Sequence, residues 1–127
     1  MAHTFVKDVM ISDLATLDVS TSIIDAAKLM DEKNIGCIIV IKNQLPVGIL
    51  TERDFIKRIT AKNKPLTTSI EEVMSSPLIE IDPEETVWEA AQIMKVNNIH
   101  KLPVKKDNQI IGIVTTTDLV KICSIGS

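Results

Sequence analysis

The feature that most constrains this chain is an internal repeat with a spacing of 64 residues. The stretch "GILTERDFI", residues 48–56, returns as "GIVTTTDLV" at residues 112–120. When residues 7–59 are laid over residues 71–123 without a gap, 17 of the 53 positions are identical. One copy of about 55 residues is only marginally able to bury a core by itself. The repeat therefore predicts two similar units, related by a pseudo-twofold axis, that cover each other's apolar faces.

Each copy carries the same series of local signals. Apolar residues recur at helical spacing in "TSIIDAAKLMDEKN" and "ETVWEAAQIMKVNN", and Ser22 and Thr86 are placed as helix caps. Strands with hairpin turns follow in "CIIVIKNQLPVGIL" and "KLPVKKDNQIIGIV", and each copy ends in a second helix. With a short leading strand, this order predicts an α/β fold of two βαββα repeats, residues 5–59 and 70–123. The polar segment "TAKNKPLTTS", residues 60–69, is the predicted linker.

Composition excludes several classes of function. The formal net charge is −3, so there is no overall basic footprint for nucleic acid or an anionic membrane. The aromatic residues are only Phe5, Phe55 and Trp88, which makes base-stacking platforms hard to build. The longest apolar run, residues 35–41, is far shorter than the roughly 20 residues that span a bilayer. The N-terminus "MAHTFVKDVM" lacks the features of a secretory signal, so we expect a cytoplasmic protein.

The sequence also argues against an enzyme. Four glycines form no glycine-rich phosphate loop of either common type. Two histidines and two cysteines lie at no metal-ligand spacing, so no metal site is predicted. No nucleophile has a visible base and orienting partner, and no catalytic residue is predicted.

The repeated Thr-x-x-Asp has two interpretations. In the first, Thr51 with Asp54, and Thr115 with Asp118, only cap the helices that follow, an arrangement worth on the order of 1 kcal/mol per helix. In the second, the helix N-terminus and the threonine hydroxyl seat a phosphate or a sugar, and the aspartate accepts two hydrogen bonds from a ribose diol. The two roles compete, because an aspartate folded onto its own cap is less available to a sugar.

The twin "GILTERD" and "HKLPVKKDNQIIGIVTTTD", with "DVM" and "EVM" leading the copies, resemble a pair of cystathionine β-synthase (CBS) domains, or Bateman module. The resemblance covers residues 5 to 123. It implies two βαββα units packed sheet to sheet about a pseudo-twofold axis. It also implies two symmetry-related clefts that often hold adenine nucleotides.

The resemblance also implies roles for particular residues. Asp54 and Asp118 would bind ribose hydroxyls, and Thr51 and Thr115 would contact ribose or phosphate. His100 and Lys101, which precede the proline of "HKLPV", would meet phosphates. Main chain and aliphatic side chains would grip the adenine, in two groups: Met10, Ala15 and Ile35 for one cleft, and Met74, Ile79 and Ile99 for the other.

The first copy departs from the family pattern. Gly36 and Cys37 stand where the second copy has His100 and Lys101, so that cleft loses its strand-borne cation. Arg53, inside "TERD", is a candidate substitute. We therefore expect unequal sites. The better phosphate site should centre on Thr115, Asp118, His100 and Lys101.

The sequence leads to three hypotheses of function. The first is a regulatory sensor of AMP, ADP or ATP that requires no cofactor and acts through an unknown effector protein or a homodimer; an exposed Trp88 would mark an oligomer contact. The second keeps the pocket but changes the adenosyl ligand, to S-adenosylmethionine or a cyclic dinucleotide. The third is a ligand-free assembly module in which both Thr-x-x-Asp boxes serve as caps. A role with nucleic acid comes last.

Overall fold

The computed structural model describes residues 4–126, and the chain divides into two compact units. The first unit is Ala15–Leu78. The second unit joins the segment that ends at Leu14 to the segment that begins at Ile79. Each unit has its own cluster of buried apolar residues. Within residues 4–126, no helix has both the length and the apolar character needed to cross a membrane.

The helices and strands follow the order that the sequence predicts. A π-helical turn, Phe55–Thr60, continues the third helix, and a 3₁₀ turn covers Ile70–Glu72. In chain order the other elements are α1 Val6–Val9, β1 Thr16–Asp18, α2 Ile23–Lys33, β2 Cys37–Lys42, β3 Leu45–Thr51, α3 Glu52–Asp54, α4 Val87–Asn97, β4 Lys101–Lys106, β5 Gln109–Thr115 and α5 Thr116–Gly126.

The first unit is a three-stranded sheet with α2 packed on it. β1 pairs in parallel with β2, and β2 pairs antiparallel with β3. α2 begins where the Asp25 N–H donates to the Ser22 hydroxyl, which confirms the predicted cap. It ends at Asn34, whose left-handed φ of 53° closes the helix. The core contains Ile23, Ala26, Ile38, Leu50 and Ile70.

The second unit repeats this design with a shorter sheet. β4 pairs antiparallel with β5, and the Glu89 N–H donates to the Thr86 hydroxyl at the start of α4. The counterpart of β1 is reduced to one parallel bridge, between Ile81 and Val104. In the first unit the Val19 N–H extends the ladder to Ile41, but its counterpart is Pro83, which has no N–H. The predicted leading strand is therefore complete in one unit only.

Both hairpins turn through two residues of positive φ. These are Asn43 and Gln44 in the first unit, with φ of 52° and 68°, and Asp107 and Asn108 in the second, with φ of 52° and 65°. Positive φ at both central positions is the geometry that matches the twist of paired strands, and asparagine and aspartate tolerate it. The hairpins predicted at "KNQLP" and "KDNQ" are confirmed.

The segment that leads the first repeat packs in the second unit. Ile11 forms an antiparallel bridge with Ile113, and Met10 lies against Gly112. A Cβ added to Gly112 would lie 2.5 Å from the Met10 sulfur. No described glycine has a positive φ, so Gly112 is needed for this close approach rather than for its backbone conformation.

The segment that leads the second repeat packs in the first unit in the same way. Ser75 bridges Ile49, and Met74 lies against Gly48. The predicted linker, residues 60–69, lies in this unit too, since the N–H groups of Ile23 and Ile24 donate to carbonyls in it. Relative to the repeats of the sequence, the two compact units therefore exchange their leading segments.

The contact of Met10 with Gly112 gives a testable prediction for Gly112→Ala. The added methyl group overpacks the Met10 side chain, so the free energy of unfolding should fall by about 1–3 kcal/mol. Urea unfolding of the purified protein measures this change. Adding Met10→Ala to Gly112→Ala should recover part of the loss, because it removes the atoms that clash. Equal midpoints for Gly112→Ala and the unaltered protein would contradict the contact.

Candidate functional site

Both Thr-x-x-Asp boxes lie where the last strand of a unit is followed by a helix. β3 ends at Thr51 and β5 ends at Thr115, and α3 and α5 begin at the next residue. We call Thr51 and Asp54 the first box, and Thr115 and Asp118 the second box. Strand pairing sets Thr115 opposite Lys101 and Thr51 opposite Cys37.

The backbone ties each box to the residue that precedes the neighbouring strand. In the second unit the Thr116 N–H donates to the His100 carbonyl over 3.0 Å. In the first unit the Glu52 N–H donates to the Gly36 carbonyl over 3.3 Å. Residues directly opposite in an antiparallel pair share a face of the sheet, so Lys101 stands beside Thr115. The structure thus places Lys101 beside Thr115 and ties the backbone of His100 to the start of α5.

In the second box, the threonine hydroxyl serves the aspartate twice. It accepts a hydrogen bond from the Asp118 N–H at 3.1 Å and donates one to Asp118 Oδ2 at 2.8 Å. Asp118 is half-buried, and its Oδ1 accepts no hydrogen bond from the part of the chain that the structure describes. The cap thus fixes the carboxylate by one oxygen and leaves the other oxygen to accept a further donor.

The first box is engaged on both oxygens. Asp54 Oδ2 accepts from the Thr51 N–H at 2.9 Å and from the Thr51 hydroxyl at 3.3 Å. Oδ1 accepts from the Ser75 hydroxyl at 3.0 Å, and the Arg58 Nε lies 3.5 Å away. Asp54 is only 4% exposed, and it is the one charged side chain in the described part of the chain that is fully buried. Ser75 and Arg58 were not among the predicted site residues, although both positions differ between the copies.

The two basic residues beside the second box are accessible to solvent. His100 is exposed and Lys101 is half-buried. Neither forms an ion pair with the part of the chain that the structure describes. Their counterparts, Gly36 and Cys37, are uncharged, and Arg53 is exposed in the first turn of α3. The strand-borne lysine is therefore found beside the second box only, whereas the positive charges near the first box belong to Arg53 and Arg58 on its helix.

The aliphatic candidates, which the sequence analysis grouped by cleft, are distributed over both units. Met10 was grouped with Ala15 and Ile35, but it packs in the second unit against the same core as Ile99. Met74 was grouped with Ile79 and Ile99, but it packs in the first unit with Ala15 and Ile35. The cause is the exchange of leading segments, which no pattern within one copy indicates. Ile79 begins the second unit and is 36% exposed.

The second box makes a prediction about its own cap. Thr115→Val keeps the shape of the side chain but removes the hydroxyl that satisfies the Asp118 N–H, so we expect a loss of about 0.5–2 kcal/mol in the free energy of unfolding. Thr115→Ser keeps the hydroxyl and is the control, expected to stay closer to the unaltered protein. Urea titrations of the three proteins test this. A valine variant as stable as the serine variant would mean that the hydrogen bond contributes nothing.

The family model described as the CBS domain matches this chain twice, over residues 6–61 and 70–124. The first range contains the first box, and the second range contains the second box. The two matches together include both hairpins and both leading segments.

The chain is similar to two curated proteins of different kinds. It is 37% identical over 114 residues to the CBS domain-containing protein YhcV of Bacillus subtilis, which covers 90% of this chain and 81% of YhcV. It is 36% identical over 124 residues to homoserine O-acetyltransferase of Methanohalobium evestigatum, which covers 96% of this chain. The chain spans only 24% of that enzyme's length.

Among solved structures, the chain resembles the CBS domain pair of protein MJ0100, determined in complex with 5′-methylthioadenosine and S-adenosyl-L-methionine. The TM-score is 0.89 at 30% sequence identity, and the match covers 99% of this chain and all of the other. A likeness over this length confirms the predicted mixed α/β fold of two βαββα units.

Proposed function

The chain belongs to the CBS domain family, as a pair of such domains, and on that premise we propose that it is a regulatory module that binds an adenine nucleotide at the second box. The observation that carries the proposal is the state of Asp118. One carboxylate oxygen is held by the cap, and the other accepts no described hydrogen bond. Lys101 and His100, which form no described ion pair, lie at the same strand end.

The proposed role of Asp118 follows from the chemistry of a ribose. Two vicinal hydroxyls are donors, and a carboxylate is acceptor-only when ionised, so Oδ1 can take one or both of them. Hydrogen bonds to a charged acceptor contribute about 1.5–3 kcal/mol each, roughly twice the neutral kind. The hydrogen bond that the Thr115 hydroxyl donates to Oδ2 fixes the direction of the carboxylate before the ligand arrives, which lowers the entropy that binding must remove.

His100 and Lys101 supply the preference for a phosphate. A lysine ammonium binds phosphate as a point charge, and a histidine ring N–H can donate a hydrogen bond to a phosphate oxygen. The adenine would lie on aliphatic surface, because the chain has so few aromatic residues. We assign that surface to Met10, Ile79 and Ile99, which belong to the same unit as Asp118.

An adenosyl ligand without phosphates is the first alternative. The similar CBS pair of MJ0100 was solved with 5′-methylthioadenosine and S-adenosyl-L-methionine. Both contain the ribose diol that Asp118 would bind, but neither contains a phosphate for His100 and Lys101. Comparing ligands with and without phosphates therefore separates the two versions of the proposal.

A ligand-free assembly module is the second alternative. The observation that favours it is that both aspartates hydrogen-bond to the threonine of their own box. A cap of this kind is complete without a ligand. The module would then act only by holding partners together.

We also propose that the chain has no catalytic step and works in the cytoplasm, where adenine nucleotides are found.

Asp118→Asn tests the proposed site. The substitution keeps the size of the side chain but removes its charge, and binding of AMP and ATP should weaken by about 10–100-fold, the equivalent of one charged hydrogen bond. Isothermal titration calorimetry measures the affinity. Asp107→Asn, an equal change of charge in the hairpin of the same unit, is the matched control and should bind as the unaltered protein does. If the two variants bind equally, Asp118 is not the ribose ligand.

Lys101→Met refines the test. It should weaken ATP binding severalfold and leave the affinity for 5′-methylthioadenosine unchanged, because only ATP has phosphates that Lys101 could contact. If none of AMP, ADP, ATP, 5′-methylthioadenosine and S-adenosylmethionine binds the unaltered protein, the ligand-free alternative stands.

We also propose that the module forms a homodimer through the outer face of α4. Trp88 is 66% exposed and Val96 is 79% exposed on this helix, an unusual solvent exposure for a large aromatic side chain. Exposed tryptophan is enriched where proteins meet one another. Trp88 is the only tryptophan in the chain, so its fluorescence reports this face alone.

Dilution tests the homodimer. On dilution through the dimer dissociation range, Trp88 emission should move to longer wavelength as the ring becomes exposed to water. Trp88→Glu should sediment as a monomer in analytical ultracentrifugation, whereas Trp88→Phe should keep the dimer. An emission maximum independent of concentration, with a monomeric mass, would contradict this proposal.

A further inference from the structure

The two boxes have the same sequence but different surroundings. In the first unit, Ser75 and Arg58 contact Asp54. At a spacing of 64 residues, their counterparts in the second unit are Ile11 and Ile122, which have no polar side-chain atom. The polar partners of the first aspartate are therefore absent from the second copy.

Ser75 and Arg58 also hold the segment that follows the predicted linker. The Ser75 backbone exchanges two hydrogen bonds with Ile49, at 2.8 and 3.0 Å, which joins the segment to β3. Arg58 donates to the Met74 carbonyl at 2.8 Å. Asp54 binds both Ser75 and Arg58, so one carboxylate connects the start of α3, the π-helical turn and the end of the segment. We call Asp54, Arg58 and Ser75 the latch.

We propose that Asp54 is a structural latch rather than a ligand group, and that the module holds one adenosyl ligand per chain, at the second box. The latch stands on the contacts of the first unit, and the stoichiometry rests on the proposed function. A ribose diol at Asp54 would have to displace the Ser75 hydroxyl and the Arg58 guanidinium from Oδ1, or Thr51 from Oδ2. It would also have to reach a side chain that is 4% exposed.

Displacing these donors has a further consequence. The Ser75 hydroxyl donates to Asp54 in a partly buried place, so the diol would leave it without this partner. A buried polar group without a partner is unfavourable. At Asp118 a diol displaces no described group. The difference between the boxes therefore favours binding at the second box.

The latch is tested without any ligand by a double-mutant cycle. Asp54→Asn should lower the thermal midpoint by about 4 °C or more, and Ser75→Ala should lower it by a similar amount, for a unit of about 60 residues. Because both substitutions break the same hydrogen bond, the double variant should lie close to the worse single variant. Asp118→Asn, at the equivalent position, is the control and should change the midpoint less. Effects that add would overturn the latch.

The stoichiometry is tested by calorimetry with AMP, ATP and 5′-methylthioadenosine on the full chain. We expect one site per chain in the unaltered protein, an affinity for Ser75→Ala within about threefold of it, and an affinity for Asp118→Asn that is about 10–100-fold weaker. Two sites per chain, with one lost in Asp54→Asn and stability unchanged, would overturn the inference while leaving the proposed function intact. If no probe binds the unaltered protein, the proposed function and the stoichiometry fail, and the latch is decided by the thermal cycle alone.

Discussion

The two-residue turns of the hairpins control the register on which the candidate site depends. In the second unit, Asp107 and Asn108 both have positive φ, so the turn length is fixed and Lys106 pairs with Gln109. A register shift between Val104 and Lys105 follows, and beyond it Gly112 lies opposite Val104 and Thr115 lies opposite Lys101. A slip of one residue would turn every side chain of β5 to the other face of the sheet. The turn at Asp107 and Asn108 therefore determines which residue of β5 packs against Met10 and which residue lies opposite Lys101.

From that common frame, the two copies have diverged through the neighbours of one carboxylate. Capping and ligand binding draw on the same oxygens of an aspartate, and a carboxylate has only about four acceptor positions. In the first unit, protein donors take up both oxygens, and burial removes water as a competitor. In the second unit, the residues at the corresponding sequence positions are isoleucines, whose side chains have no hydrogen-bond donor. Two side-chain differences thus separate the latch aspartate of the first unit from the candidate ligand-binding aspartate of the second.

Much of this was accessible to the sequence because it is local. The caps at Ser22 and Thr86, the hairpin turns and the order of helices and strands all follow from short-range signals, and the structure confirms them. The exchange of leading segments did not follow, since a repeat compares sequences while packing partners are chosen by tertiary contact. Each copy has a glycine and a methionine at equivalent positions, Gly48 with Met10 and Gly112 with Met74. Local sequence does not indicate whether each glycine packs against the methionine of its own copy or of the other copy.

The burial of Asp54 was missed for a related reason. "TERD" and "TTTD" are equivalent as motifs, and a motif contains no statement about residues 4 and 21 positions further on, which are the spacings of Arg58 and Ser75 from Asp54. A comparison of the two copies outside the motif does contain this information, because the first copy's Arg58 aligns with Ile122, and Ser75 aligns with Ile11. Divergence between copies was therefore more informative about the candidate site than identity was.

The half-engaged state of Asp118 also indicates how a bound ligand would influence the fold. Oδ2 and Thr115 close the cap of α5, so a ligand that binds Oδ1 in this arrangement stabilises the closed cap. For a ligand that binds only the closed cap, that stabilisation is about 2.7 kcal/mol at a ligand concentration a hundredfold above Kd. A cap of this kind contributes only about 1 kcal/mol by itself. In the proposed function, ligand binding therefore contributes more free energy than the cap that positions Asp118. The nucleotide shifts the equilibrium between open and closed cap at the start of α5 by the difference between its binding free energies for the two states.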